Sequence, residues 1–263
     1  MTKTLVILSY KMKSRALRHI RNAIEGRYRA FLYPGAEEEE AFQYTKNDVV
    51  FNWGNGYGLG SGPGVPKTII NSPQAVSFSV NKASMFEAFS EAGLYDIITR
   101  TLTSLKEAME YLDDGECGGW VCRTELEGKD GAGIVVATRP QQMVLANLYV
   151  EYITCPREFR VHVERHGSSF VTEKVWDTKD HHDDLRIGNT FRMGAADPTS
   201  KPVVQCRDAA FRALEALDLD FAGVDVGWTG DRAVVFETNT APGMFGPRTT
   251  QFYVDIINRA MKE

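Results

Sequence analysis

Asp225, Glu237 and Asn239 are the side chains whose types and spacing point to chemistry. Glu237 and Asn239 stand two apart in an apolar run, so on a strand both leave one face while Phe236 and Thr238 leave the other. Asp225 lies in a second strand-like run, Ala222 to Trp228, and Thr229-Gly230-Asp231-Arg232 supplies the turn residues that join the two runs as a hairpin. A loop made of Gly230, Asp231 and Arg232 sets Asp225 directly opposite Glu237 and gathers three oxygen ligands on one patch. Magnesium takes carboxylates together with phosphate oxygens, and a neutral amide completes its shell without adding a third negative charge. Val224, Val226, Val234, Val235 and Phe236 mark both runs as buried, and buried carboxylates need a cation or several donors to offset desolvation. The expected chemistry is a divalent cation held against phosphate groups.

The elements that must carry this patch are legible as alternating patterns. Thr4 to Leu8 reads as a buried strand, followed by a helix with Ala16, Leu17, Ile20, Ala23 and Ile24 at helical spacing and Gly26 as its C-terminal cap. Ala30 to Tyr33, Asp48 to Phe51 and Thr68 to Asn71 are further short strands, so the chain opens as parallel α/β material. The acidic run Glu37 to Glu40 reads as a solvated helix start. Residues 52–64, with glycine at every second position from Gly54 to Gly64, lack the Lys-Ser or Lys-Thr ending of a P-loop and leave two readings, a flexible loop bordering a substrate site or, more simply, a plain linker. Ser84-Met-Phe-Glu87 and Ser104-Leu-Lys-Glu107 are capping-box patterns that predict two helix starts.

The texture changes after residue 115. Trp120 to Arg123 and Ile134 to Ala137 flank a glycine-rich stretch from Gly128 to Gly133, predicting a hairpin whose tip brings backbone N–H groups close to phosphate. Pro140 opens a predicted helix, and Leu148 to Ile153 reads as a strand. Arg157 to Val163 alternates strictly, so Glu158, Arg160 and His162 share one face. Phe170 to Trp176 repeats the alternation with Lys174 on the face of Phe170, Thr172 and Trp176. Pro202 to Leu217 is a clear amphipathic helix with Pro202 at its first position, and Gln251 to Met261 closes the chain as another.

Composition narrows the classes. At 263 residues and 43% hydrophobic content the chain can bury a large core, and a net charge of -5 argues against a general binder of nucleic acid or membrane surfaces. Cys117, Cys122, Cys155 and Cys206 have no metal-ligand spacing and read as free thiols of a reducing compartment. No apolar stretch is long enough for a signal peptide or a span, so a soluble cytoplasmic protein is expected. His181, His182, Asp183 and Asp184 are adjacent residues, which rarely converge on one ion, and read as an exposed loop.

In their order along the chain these pieces resemble the ATP-grasp superfamily, and within it the carboxylate-amine ligases of the α-L-glutamate ligase-like (RimK-like) branch. The resemblance covers nearly the whole chain and rests on Asn81-Lys82-Ala-Ser, the glycine-rich hairpin, Arg157-Glu-Phe-Arg-Val161 and the Asp225, Glu237, Asn239 triplet. The compact N-terminal segment is similar to that of small phage-encoded members. The resemblance implies an α+β, α/β fold with a pre-ATP-grasp subdomain over residues 1–73, a lid subdomain over 74–147 and a core subdomain over 148–263. It implies ATP as substrate and one or two magnesium ions, with Mn2+ as a substitute, held by Asp225, Glu237 and Asn239. Lys82 and Arg123 would flank the nucleotide, and Gly128, Lys129, Gly131 and Gly133 would close over its phosphates. Glu151, Tyr152 and Ile153 match the strand whose backbone meets adenine, and Glu158 the carboxylate that meets ribose. Arg160 and Lys174 match neighbours of the transferred phosphate, and Asn189 and Arg192 fall where substrate is often reached. Arg123 departs from the lysine of many members, spreading its charge over a planar fork.

The implied activity is ATP-dependent formation of an amide through an acyl phosphate, from a small-molecule or peptide carboxylate and an amine. Nucleic acid enters only as a modified-base substrate, and a homodimer is compatible with the reading. The alternatives are a kinase on the same scaffold and a non-catalytic nucleotide-binding module.

Overall fold

A computed structural model describes residues 4–9, 14–28, 30–33, 43–59, 64, 66, 68–128, 131–176, 191–244 and 246–263. The expected acidic helix start at Glu37 to Glu40, the His181–Asp184 loop, and Lys129 and Asn189 lie outside these residues. Among the described residues, no helix is long and apolar enough to cross a membrane.

The first sheet is parallel, with strands β1 (Thr4–Ser9), β2 (Ala30–Tyr33), β3 (Asp48–Trp53) and β4 (Thr68–Ile70) in the order β2-β1-β3-β4. Leu5 to Leu8 are fully buried on both faces, as a parallel sheet requires. Helix α1 (Arg15–Ile24) buries the predicted stripe of Ala16, Leu17, Ile20 and Ile24.

Two short helices follow, α2 (Pro73–Val80) and α3 (Lys82–Glu91). α2 was not foreseen, and α3 starts two residues ahead of Ser84. Asn81 is the cap: its side-chain oxygen accepts from the N–H groups of Ala83 and Ser84 at 3.1 and 3.2 Å, so Ser84 sits inside the helix. The Ser104 cap is formed as expected, accepting from the N–H of Glu107 ahead of α4 (Leu105–Asp113). The second sheet has strands β5 (Thr101–Leu102), β6 (Trp120–Arg123), β7 (Ile134–Ala137) and β8 (Leu148–Glu151) in the antiparallel order β5-β8-β6-β7. The helix expected after Pro140 is a single 3-10 turn, Pro140–Gln142, and the strand expected to reach Ile153 ends at Glu151. β8 pairs with β5 and β6, although the sequence division groups it with the third segment.

The third sheet is antiparallel: β9 (Arg157–Glu164), β10 (Ser169–Trp176), β11 (Phe191–Ala195), β12 (Phe221–Trp228) and β13 (Ala233–Asn239), in the order β11-β10-β9-β12-β13. Helix α5 (Lys201–Ala216) covers one face, where Val203, Cys206, Ala210 and Leu214 meet Phe159, Val161, Val224 and Val226 in one core. Pro202 occupies the second helical position rather than the first. The last helix, α6 (Pro247–Lys262), joins a second core that contains Leu5, Ile7, Phe51, Trp53 and Phe221. This core ties the first sheet to the third. Asn71 pins the same junction. It is buried at φ +61°, and its side chain accepts from the N–H groups of Asp220 and Phe221 while donating to the Phe221 carbonyl.

Candidate active site

Alternation on β9 and β12 brings the chemistry together. Arg160 pairs with Asp225 across β9 and β12, and Asp225 pairs with Glu237 across β12 and β13, so all three leave one face of the third sheet. The route to that register differs from the expected three-residue loop. Trp228 pairs with Ala233, leaving a four-residue loop that would by itself set Phe236 opposite Asp225. A bulge in β13 between the Asp225 and Val226 pairs absorbs one residue and restores Glu237 to that place. Gly227 makes room for the bulge: a Cβ there would lie 2.4 Å from Phe236 Cζ and 2.5 Å from Cys155 Sγ.

Asp225 is the hub of the site. It is 4% exposed, and the Arg160 guanidinium donates to both of its oxygens at 2.7 Å from Nε and Nη2. Lys174, brought to this face by β10, adds a bond from Nζ at 2.8 Å. Burial alone would raise the Asp225 carboxyl, but the charges of Arg160 and Lys174 outweigh it and hold the group far below the ordinary carboxylate range. Lys174 also stands 3.8 Å from Glu158, its cross-strand neighbour.

On the far side, Lys82 opens α3 with its Nζ 3.7 Å from Glu237, and Asn239 donates to Glu237 at 3.1 Å. Lys82 is 6% exposed; burial pulls its pKa down against the pull of Glu237. Arg123, at the end of β6, is likewise lowered by burial, and its buried Nε has no hydrogen-bond partner among the described residues. Thr238 leaves the opposite face and meets Ser79 of α2 at 2.6 Å, which anchors the two helices to β13. Among the described residues, four cations, Lys82, Arg123, Arg160 and Lys174, thus stand with three carboxylates, Glu158, Asp225 and Glu237.

The glycine-rich hairpin tip is built as expected at its described residues. Gly131 and Gly133 take φ of +82° and +68°, a Cβ on Gly133 would lie 2.8 Å from the Glu125 backbone nitrogen, and one on Gly128 2.4 Å from the Ala132 carbonyl. The Lys82 N–H donates to the Leu126 carbonyl, so this tip and the start of α3 meet. At the end of β8, Glu151 donates its N–H to the Arg100 carbonyl and Tyr152 to that of Gly119, with Ile153 next in the chain. Arg192 is not brought to the cluster. It pairs with Val175 on β10, so it leaves the face opposite Lys174, and it is exposed.

Behind Arg160, His162 is fully buried, its Nδ1 2.6 Å from the Tyr253 hydroxyl of α6. Burial and then the Arg160 charge push the imidazole down to about 3, so it is neutral at pH 7, and its Nε2 has no hydrogen-bond partner among the described residues. Sequence reading put His162 on the polar face but could not find Tyr253. Nothing in the α6 pattern distinguishes that tyrosine from its neighbours.

The donor set fits the expected ligands. Among the described residues no group of three or more His, Cys, Asp or Glu is disposed to hold a metal unaided. Two carboxylates and one amide suit magnesium that draws its remaining oxygens from a bound phosphate. The cationic lining, the Arg123 Nε that has no hydrogen-bond partner among the described residues, and the glycine cradle all suit a polyanion.

No protein-family profile and no curated protein sequence matches the chain. Solved structures do. The ATP-grasp ligase PsnB complexed with a minimal precursor aligns with a TM-score of 0.69 at 14% identity, covering 99% of each chain. The VanG D-Ala:D-Ser ligase of Enterococcus faecalis aligns at 0.69 and 13% identity over 100% of this chain and 99% of its own. D-alanyl-alanine synthetase A of Vibrio cholerae aligns at 0.64 and 16% identity over the full length of both. Likeness end to end at such low identity is a statement about architecture: this protein has the ATP-grasp fold.

Proposed function

We propose that the protein is an ATP-dependent carboxylate-amine ligase, related by the order of its motifs to the RimK-like branch. The observation that carries the reading is the Asp225, Glu237, Asn239 patch walled by Lys82, Arg123, Arg160 and Lys174. The ligases among the structural neighbours support it, and two of them, PsnB and the macrocyclase MdnC, were solved with a precursor bound. A peptide or small-molecule carboxylate is the matching acid.

In this reading Asp225, Glu237 and Asn239 would hold magnesium, with manganese as a substitute, and the ion would supply neutralisation of phosphate charge. Lys82 and Arg123 hold the nucleotide phosphates from the side of Glu237, and Gly128, Lys129, Gly131 and Gly133 cover them with backbone N–H groups. The Glu151–Ile153 backbone meets adenine, and Glu158 the ribose. The substrate carboxylate oxygen attacks the γ-phosphorus, the bond to ADP breaks, and an acyl phosphate forms. The amine nitrogen then attacks the acyl carbon, phosphate leaves with its bridging oxygen, and the nitrogen gives up a proton. Arg160 and Lys174, oriented by Asp225, spread charge on the transferring phosphoryl group and on the oxyanion of the second step. Arg192 reaches substrate only if the acid extends to the β11 side of the sheet, and Asn189 is proposed to contact the same substrate.

Glu237→Gln tests the reading. It is expected to cut ADP release by at least two orders of magnitude with an unchanged unfolding midpoint, since one lost metal contact costs on the order of several kcal/mol of transition-state stabilisation. Trapping with hydroxylamine separates the ligase from a kinase: an acyl phosphate yields a hydroxamate, whereas a phosphate ester does not react.

A further inference from the structure

Residues 52–58 of the glycine-spaced segment form a built wall rather than a plain linker. Asn52 and Asn55 are both fully buried. Asn52 donates to the Asn55 carbonyl at 2.9 Å and accepts from the Asn55 N–H at 2.9 Å. Asn55 in turn donates to the Gly58 carbonyl at 3.1 Å and accepts from the Tyr57 N–H at 3.0 Å. Two interior side chains thus supply the bonds that a loop of glycines lacks, and residues 52–58 are fixed before any ligand arrives.

Contacts on both sides fix where this wall stands. On one, Gly56 lies against α2 so closely that a Cβ would come within 3.2 Å of Ser77 Cα; two residues on, Ser79 bonds Thr238, between Glu237 and Asn239. On the other, Trp53 packs edge-on to Tyr253 with ring centroids 4.9 Å apart, and Tyr253 bonds His162, two residues from Arg160. The segment therefore spans the same end of the third sheet as the charged patch. It also follows β3, whose partner β1 is the strand at which the first sheet reverses its order, and open parallel sheets bind ligands beyond the carboxyl ends of such strands. What the wall presents is aromatic. Tyr57 is 70% exposed and Phe78, next to Ser77, is 47% exposed, two of only six large hydrophobic side chains exposed among the described residues.

We infer that Tyr57 and Phe78 are specificity determinants: they receive an apolar, planar group borne by the carboxylate substrate beside its reacting carboxyl. This rests on the ligase reading above. The acid, rather than the amine, is the partner because it occupies the site through both steps, first as phosphoryl acceptor and then as acyl donor. A fixed wall next to the metal patch meets it throughout. Aromatic faces on rigid supports bind planar apolar groups at little entropic cost.

The test compares wild type with the double variant Tyr57→Ser, Phe78→Ser, both exposed positions whose loss leaves the core intact. N-acetyl-phenylalanine and N-acetyl-glutamate serve as acids, with ATP, magnesium and hydroxylamine; hydroxamate formation and amide hydrogen exchange over residues 52–59 and 73–80 are read in parallel. The expected result is a kcat/KM for the phenylalanine acid at least tenfold above that for the glutamate acid, and protection of both segments by the former. In the double variant KM for the phenylalanine acid rises at least tenfold while kcat and KM for ATP hold. Equal preference in wild type and variant, or hydroxamate formed without protection, overturns the inference. Protection by N-acetyl-phenylalanine without any ADP or hydroxamate overturns the ligase reading and leaves the aromatic wall standing, whereas neither signal overturns the wall.

Discussion

His162 shows how much a single residue can say about pH. In an unfolded chain its imidazole titrates near 6.5, roughly, whereas in the native protein burial and the neighbouring Arg160 charge hold it down to about 3. Between those values the unfolded chain binds a proton that the native one refuses. Stability from this residue is therefore fully present above the unfolded value and drains away as pH falls, at about 1.4 kcal/mol per unit. Urea unfolding at pH 6.5 and 4.5 is expected to show wild type losing about 2–3 kcal/mol more than His162→Gln across that interval. Asp225 acts in the same direction but at lower pH: held low by Arg160 and Lys174 against its burial, it stays ionised through this range, and its contribution is lost only in stronger acid. The opposition of Asp225 and Glu237 was legible because two-residue alternation assigns faces without knowledge of the fold. Its partners came to the same site only through the family resemblance, because Arg160 and Lys174 lie 65 and 51 residues away and the strand order β10-β9-β12 is what makes them neighbours.

At the scale of elements, strands with strict alternation were read to within a residue, and departures occurred where local signals competed. Ser84 and Glu87 satisfy a capping box, but Asn81 lies at a bend and caps the same helix earlier, an outcome set by the end of α2 rather than by the pattern. The β13 bulge was invisible because an extra residue leaves no mark in an apolar run; its cause is the tight four-residue turn together with Gly227. The hairpin tip between β6 and β7 carries its own prediction. Gly133→Ala puts a side chain on a backbone at φ +68° and against the Glu125 nitrogen. The tip must shift, and KM for ATP is expected to rise about tenfold, the equivalent of roughly 1.4 kcal/mol of contact with phosphate, while the midpoint of thermal unfolding moves little. Steady-state ADP release at varied ATP measures it.

For the whole molecule, the first and third sheets behave as one body. Phe51, Trp53, Phe221 and Tyr253 form a stacked and edge-on column between them, and Asn71 bridges beside it. Trp53→Ala is expected to cost about 3–5 kcal/mol in urea unfolding and to loosen both sheets together, since the cavity opens in a shared core. The charge arrangement has a thermodynamic reach of its own. Both Asp225 oxygens are engaged by Arg160 and Lys174, so a lone divalent ion must compete with a guanidinium and an ammonium already in residence. A triphosphate changes the contest by giving those donors another anion. Ion affinity and nucleotide affinity are thereby coupled, and by linkage each raises the other by the same factor. Calorimetric titration is expected to detect no magnesium uptake by the isolated chain below millimolar concentrations. With a non-hydrolysable ATP analogue present, uptake should appear, and saturation to one hundred times Kd should add about 2.7 kcal/mol of resistance to unfolding. The protein would then admit its two ligands as a preformed salt, never the bare cation first.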